Sequence, residues 1–253
     1  MRETFLENMF RPHVVKNKLF ETGNLLYNIS PMGYRFLYRL YKNLSDREER
    51  KLIRSMLKPG MTALDIGANI GMYSLFLGGL VGSNGRVLAI EPGPENFERL
   101  RQAVNHMPNI NAIHAAVAEK NGQLRLFLSE ILNVDHHTYD DGEGRPFVLV
   151  EAIALDEHIP IGRPIHFVKI DVQGAELAVL KGAKRMLREN HDVKILFEYW
   201  PYGLRAAGHE PSDLLSFLQD LGFTIRPVGI SQAKWECLGS TKEDYCNLIA
   251  ERG

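Results

Sequence analysis

Ala63-Leu64-Asp65-Ile66-Gly67-Ala68-Asn69-Ile70-Gly71-Met72-Tyr73-Ser74-Leu75 is the stretch on which the reading of this chain turns. Met61 to Ile66 is a short apolar run, broken by Thr62 and Asp65, and predicts a buried parallel strand. A turn of Gly, Ala and Asn follows. Apolar residues then resume as Ile70, Tyr73, Leu75, Phe76 and Leu77, dense enough for a helix packed under a sheet. Strand, glycine turn and helix in that order let a ligand lie against bare backbone at a helix N-terminus.

The glycine spacing narrows the choice of ligand. A dinucleotide fingerprint needs G-x-G-x-x-G, its second Gly admitting the pyrophosphate. Here the pattern from Asp65 to Gly71 is D-x-G-x-N-x-G. Asn69 tolerates a left-handed backbone, so the turn can still close, but the missing middle glycine disfavours NAD. Asp65 brings a carboxylate near the loop, where a ligand ammonium or a structural water could meet it. Twenty residues after Gly71, the apolar run Arg86-Val87-Leu88-Ala89-Ile90 ends in Glu91. A carboxylate at the tip of a second strand can accept both hydroxyls of a ribose. Turn and acid together predict a nucleoside-type ligand.

With Lys169-Ile170-Asp171-Val172-Gln173-Gly174-Ala175-Glu176, these residues resemble the FkbM-type family of S-adenosylmethionine-dependent methyltransferases. The resemblance runs from about Gly60 to about Val228, in two motif blocks about a hundred residues apart. It implies a class I methyltransferase fold, an α/β, doubly wound and mostly parallel seven-stranded sheet whose last strand is antiparallel. It implies S-adenosylmethionine as methyl donor, S-adenosylhomocysteine as product, and an oxygen of a small molecule, such as a sugar or polyketide hydroxyl, as acceptor. The donor-binding set carried over is Asp65, Gly67, Ala68, Asn69, Gly71, Tyr73, Glu91, Pro92, Asn96, Ala116 and Val117. The family pattern I-D-V-E-G-x-E is broken by Gln173, which keeps hydrogen-bonding capacity but not charge. A role that needs a carboxylate there, as metal ligand or base, does not carry over. Glu176 matches the second Glu.

Size and composition agree with one substantial core. The chain has 253 residues, of which 45% are apolar and 24% charged, with a net charge of −1. Residues 1–60 hold twelve Lys/Arg against six Asp/Glu, leaving the remainder at about −7. With no long charge block, a solvated helical face is expected there, not an arm for nucleic acid or membrane. Cys237 and Cys246 have no metal-ligand partners at useful spacing, which suits a reduced, intracellular protein. No apolar run approaches a membrane span, and Met1-Arg2-Glu3-Thr4-Phe5 lacks a signal-peptide core, so the cytoplasm is expected. The expected partner is a small-molecule acceptor, and a homodimer stays open.

Residues 1–58 read as a helical extension before a methyltransferase domain at 59–253. Tyr34, Phe36, Leu37, Tyr38, Leu40 and Tyr41 crowd aromatic surface into one helical stretch. Ser45-Asp46-Arg47-Glu48 has capping-box spacing ahead of a Leu52, Ile53, Met56, Leu57 stripe, and Pro59-Gly60 ends that helix. A packed cap, a lid or a dimer contact all fit. After Glu91, Pro92-Gly93-Pro94 turns into a helix with Phe97, Leu100 and Val104, placing Asn96 near a ribose or adenine. Asn111 to Val117 reads as a third strand, whose Ala115 and Ala116 would admit a flat ring. Leu124–Leu128 and Phe147–Val150 read as strands. The polar segment from Leu132 to Arg145 between them is the candidate acceptor-facing loop. Within it Asp135-His136-His137 imitates a metal site, but adjacent side chains point apart and no metal is assigned. Ile165–Ile170 is a fourth strand, Val193–Phe197 a fifth, Phe223–Arg226 a sixth and Tyr245–Ala250 a seventh. Helices fall between, including one opened by Gly174-Ala175 and broken at Gly182.

Asp65, Glu91, Ala116, Asp171 and Glu198 all fall at predicted strand ends and so converge on one crevice. Methyl transfer from a sulfonium is an in-line displacement, in which positioning does most of the work. A hydroxyl acceptor must also lose a proton. Asp171 is the leading candidate base, with His136 or His137 behind it. Lys169 would orient Asp171, and Glu198 would face the acceptor. The alternatives are a non-catalytic nucleoside-binding protein, or an NAD-dependent oxidoreductase. Asp171, Lys169 and Glu198 speak against the first, and the missing glycine against the second.

Overall fold

Strand β1 (Thr62–Ile66) is buried along its whole length, as a central parallel strand covered on both faces must be. The computed structural model describes residues 46–129, 136–140, 142, 144–239, 241–242 and 244–253. The features expected at residues 1–45, at 130–135 and at Asp141 lie outside them. From Glu48 onward the described elements belong to one compact unit, Glu48–Ser129 with Asp135–Gly253.

Helix α1 (Arg47–Met56) leads into β1, which is followed by α2 (Met72–Val81), β2 (Arg86–Glu91), α3 (Pro94–Val104) and β3 (Ile110–His114). Then come β4 (Ala116–Val117), β5 (Gly122–Phe127), β6 (Phe147–Ile153), α4 (Leu155–His158), β7 (Phe167–Ile170), α5 (Glu176–Lys181) and α6 (Lys184–Glu189). Next are β8 (Lys194–Tyr199), α7 (Pro201–Ala206), α8 (Pro211–Asp220), β9 (Thr224–Val228), α9 (Gln232–Glu236) and β10 (Cys246–Glu251). The main sheet has seven strands in the order β3-β2-β1-β7-β8-β10-β9. Six run in one direction, and β10 alone runs antiparallel, between β8 and β9, as the resemblance implies.

Alternation along the strands divides the core between two faces. Leu64, Ile66, Val168, Ile170, Ile195 and Phe197 pack with Leu177 and Leu180 of α5, Met186 of α6 and Leu214 of α8. Ala63, Val87, Ala89 and Phe167 face the other way, toward Ile53 of α1, Leu77 of α2 and Leu100 of α3. Asp65 and Lys169 share the parity of Ala63 and Phe167, so their side chains lie on the α1–α2–α3 face.

The third predicted strand is corrected. Its first part is β3, but Ala115 interrupts the run, and Ala116–Val117 leaves for a separate three-stranded sheet in the order β4-β6-β5. Ala116 pairs with Ala152 of β6 and does not end a strand of the main sheet. The run from Asn111 to Val117 holds no Gly or Pro to mark the break, and periodicity alone does not reveal where a strand changes partners.

Candidate active site

The main sheet reverses its order between β1 and β7, which opens a crevice at their carboxyl ends. Two loops meet there. The first leaves β1 through Gly67 (φ 78°) and Asn69 (φ 51°), and the N–H groups of Gly67 and Ala68 both donate to the Ile90 carbonyl at 3.0 Å. Asn69 thus takes the left-handed conformation expected of it, and its Oδ1 accepts from the Ile70 N–H at 2.8 Å. The second loop leaves β7 at Asp171, whose N–H donates to the Ile66 carbonyl at 3.0 Å. A β-carbon at Gly67 would run into the Asp171 carbonyl, so glycine is required there by φ and by contact alike.

Glu91 closes the first loop. It is buried, with Oε2 accepting from the Asn69 N–H and Oε1 from the Gly93 N–H, each at 2.8 Å. The Asn96 side chain also hydrogen-bonds to it. Asn96 is therefore buried against Glu91, not a solvated first-turn residue. Burial pushes the Glu91 carboxyl up to about 7, against the pull of these donors. A carboxylate offers about four lone-pair sites, so three protein donors leave capacity for a further hydroxyl. The cradle and its acid fit the nucleoside part of an adenosyl donor. The Pro92 carbonyl lies 3.1 Å from His114 Nε2, and the His114 ring stacks on Phe97 at 4.6 Å. Ala116 and Val117 are buried.

Asp65 is turned inward, with no exposed surface. Its Oδ2 accepts from the Ser74 hydroxyl at 2.6 Å, joining β1 to α2 beneath the turn. Burial raises its pKa, opposed first by the Lys169 charge. The carboxylate thus serves as an internal strut, where the sequence suggested a group open to the loop. Ser74 gave no such signal, since a serine one helical turn into an apolar segment reads as filler. Tyr73, in the first turn of α2, is buried with the Lys169 ammonium 4.6 Å from its ring centre.

Around the second loop runs a chain of polar contacts. Lys169 Nζ donates to Asp171 Oδ2 at 3.0 Å, and Gln173 Nε2 donates to Asp171 Oδ1 at 3.2 Å and to Glu198 Oε2 at 2.9 Å. The amide has two N–H bonds, and each meets a different carboxylate. Gln173 holds φ 52°, an uncommon conformation for a side-chain-bearing residue and one that clusters at functional sites. The Asp171 side chain is 34% exposed against 9% for Lys169, so the carboxylate faces outward and the ammonium lies beneath it. Gly174 (φ 98°) follows, pressed on the Gly203 carbonyl of α7 and near the Tyr139 ring. Glu176 is buried, with Oε1 accepting from the Gly174 N–H at 3.1 Å. Burial pushes its carboxyl up to about 7.

The two histidines do point apart. His136 Nδ1 accepts from the Ser129 N–H at 3.0 Å, and its ring edge lies by Gly93, on the Glu91 side. His137 bridges its backbone to Phe127, and its ring stacks on Tyr139 at 4.9 Å and lies 6.4 Å from Trp200. Tyr139 and Trp200 carried no sequence signal as site residues. The same holds for Gln173 as a bridge, since the sequence marks it only as a departure from the family. Among the described residues no group of three or more His, Cys, Asp or Glu side chains could hold a metal ion. Nor is any helix among them long and apolar enough to cross a membrane.

The model of the methyltransferase FkbM domain matches residues 65–225, more than half of the chain and both loops of the crevice. The chain belongs to the FkbM methyltransferase family. It is an S-adenosylmethionine-dependent methyltransferase. Among its relatives is the hexuronic acid methyltransferase AglP of Haloferax volcanii, 26% identical over 206 residues, which cover 78% of this chain and 79% of AglP. Another is the methyltransferase sdnD of Sordaria araneosa, 26% identical over 199 residues, 64% of this chain and 73% of sdnD. A solved methylase from Clostridium thermocellum shares the fold, with a TM-score of 0.51 at 13% identity over 81% of this chain and 95% of that one. The architecture is that of class I methyltransferases, with the FkbM motifs lining the β1–β7 crevice.

Proposed function

We propose that this methyltransferase acts on an oxygen of a small molecule such as a sugar or polyketide, with Asp171 accepting the proton of the acceptor hydroxyl. One observation carries the reading. The partly exposed Asp171 carboxylate is pinned by Lys169 and Gln173 on a loop packed directly against the donor turn at Gly67. Hexuronic acid, named as the substrate of the relative AglP, supports a sugar-type acceptor.

When bound, S-adenosylmethionine supplies a methyl group already activated by its sulfonium. The turn of Gly67, Ala68, Asn69 and Gly71 would hold its backbone-facing side, with Glu91 on the ribose, Pro92 and Asn96 beside it, and Ala116 and Val117 near the adenine. Tyr73 would face the methionyl end, and Asp65 supports the turn from below through Ser74. Asp171 receives the hydroxyl proton, Lys169 offsets its charge, and Glu198, tied through Gln173, presents a second acceptor to the substrate. Because the methyl is pre-activated, alignment of the hydroxyl contributes more than the strength of the base.

The test is calorimetry with S-adenosylhomocysteine and, in parallel, NAD, repeated on Glu91→Ala. Binding of the former alone, weakened at least tenfold by the substitution, is expected. Preference for NAD would overturn the reading.

A further inference from the structure

Arg50 lies on α1, in the layer that covers Tyr73 and Phe76. Its guanidinium carbon stands 5.1 Å from the Tyr73 ring centre and 4.7 Å from that of Phe76. The residue is only 7% exposed, yet Nε and Nη2 have no hydrogen-bond partner among the described residues. Aromatic faces interact with the plane of a guanidinium and leave its edge N–H groups unsatisfied. A buried cation in that condition is costly unless an anion arrives to meet it.

The surroundings say where that anion would come from. Lys169 sits 4.6 Å from the same Tyr73 ring, so one ring carries two cations. Lys169 is met by Asp171, bound to it, and by the charge of the buried Asp65, whereas Nε and Nη2 of Arg50 meet no carboxylate among the described residues. Glu49, next to Arg50, is turned about 100° around the helix, and its Oε1 accepts from Asn247 at 3.0 Å. Asn247 is opposite Glu198 in the β8–β10 ladder, so this end of α1 lies at the catalytic edge of the sheet. Tyr73 opens α2 directly after the donor turn. Arg50 is therefore a buried, under-satisfied cation beside the crevice, one ring away from Lys169.

We propose that Arg50 is a carboxylate-binding residue of the active site, its Nε and Nη2 edge taking a ligand carboxylate in the fork geometry that guanidinium favours. The proposal rests on the donor-site reading above. Two ligands could supply the group: the α-carboxylate of the methyl donor, or a carboxylate carried by the acceptor.

Calorimetry on wild type, Arg50→Met and Arg50→Lys separates these sources. The donor arm compares S-adenosylhomocysteine with 5′-methylthioadenosine, which keeps the nucleoside and thioether but lacks the amino-acid carboxylate. The acceptor arm compares D-glucuronate with D-glucose on protein saturated with S-adenosylhomocysteine. A tenfold to hundredfold loss for S-adenosylhomocysteine in Arg50→Met, with 5′-methylthioadenosine unchanged and partial recovery in Arg50→Lys, assigns the residue to the donor. Unchanged donor affinity with lost preference for glucuronate assigns it to the acceptor. In either case the melting temperature of the ligand-free Arg50→Met variant should be no lower than wild type, because an unsatisfied buried charge has been removed. A lowered melting temperature with both ligand comparisons unchanged marks Arg50 as packing only and overturns the proposal, as do unchanged comparisons at any melting temperature. Wild-type protein that binds neither nucleoside overturns the donor-site reading itself, and this proposal with it.

Discussion

Gly67 and Asp171 touch backbone to backbone, with the Gly67 α-carbon against the Asp171 carbonyl and no room between them for a methyl group. The loop that would cradle the donor and the loop that carries the proposed proton acceptor are thus one packed unit. Displacement of either must displace the other, so donor seating and acceptor alignment are mechanically coupled.

Gly67→Ala is accordingly expected to damage both. The substitution imposes a side chain on φ 78° and drives it into a carbonyl. A stability loss of about 2 kcal/mol or more is expected from strain of this kind. Thermal melts should show it, with at least a tenfold drop in S-adenosylhomocysteine affinity by calorimetry.

Asp171→Asn should separate chemistry from donor binding. The isosteric amide keeps the packing at Gly67 but cannot take a proton. A fall in kcat of about a hundredfold or more is expected, with donor affinity within about threefold of wild type. Unchanged turnover in single-turnover assays would refute the proton-acceptor role.

Gln173→Glu restores the family residue and places a third carboxylate between Asp171 and Glu198, which the amide now joins at 3.2 and 2.9 Å. Like charges at such range disfavour ionisation. The acidic limb of the kcat/KM–pH profile is expected to move up by about one pH unit, and Gln173→Met should not reproduce that shift. The same profile measured with and without added magnesium shows whether the new carboxylate cluster recruits a cation.

Glu176 gives a stability signature. Burial holds its carboxyl at about 7 in the native state, against an ordinary value of 4.5. The folded protein binds this proton more tightly than the unfolded chain does, so the contribution is full below about pH 4.5 and is lost as pH rises to about 7. The upper limit is about 3 kcal/mol. Glu176→Gln should flatten that part of the melting-temperature profile and leave the variant relatively more stable at pH 8.

The two thiols should differ sharply in reactivity. Cys237 is exposed, whereas Cys246 is buried and its thiol is pushed up to about 12 by burial. One thiol per chain is expected to react rapidly with Ellman's reagent at pH 8, and none in Cys237→Ser until the protein unfolds.

Much of this architecture is legible in the sequence because its strands are short, buried and bounded by Gly or by acids. β1, β2, β7 and β8 each announce themselves as apolar runs, ending at or beside Asp65, Glu91, Asp171 and Glu198. The break after β3 is silent because Ala115 and Ala116 suit a strand in either sheet. Site residues were legible where backbone conformation constrains them, as at Gly67 and Asn69. They were hidden where tertiary pairing decides, as for Ser74 beneath Asp65, Tyr139 against Gly174, or Arg50 over Tyr73. Asp65 shows the limit best: its place at a strand tip is readable, but its inward turn depends on a serine nine residues away.

The position of β10 carries a consequence for how the protein is made. A ribosome delivers β8, then β9, and only afterwards the strand that lies between them. Until residues 246–251 emerge, the flank of β8 has an open row of backbone donors and acceptors, and β9 has no strand partner. The sheet therefore cannot grow outward in the order of synthesis and must be completed by insertion from the last segment of the domain. Glu198, near the end of β8, gains its strand partner Asn247 only at that final step.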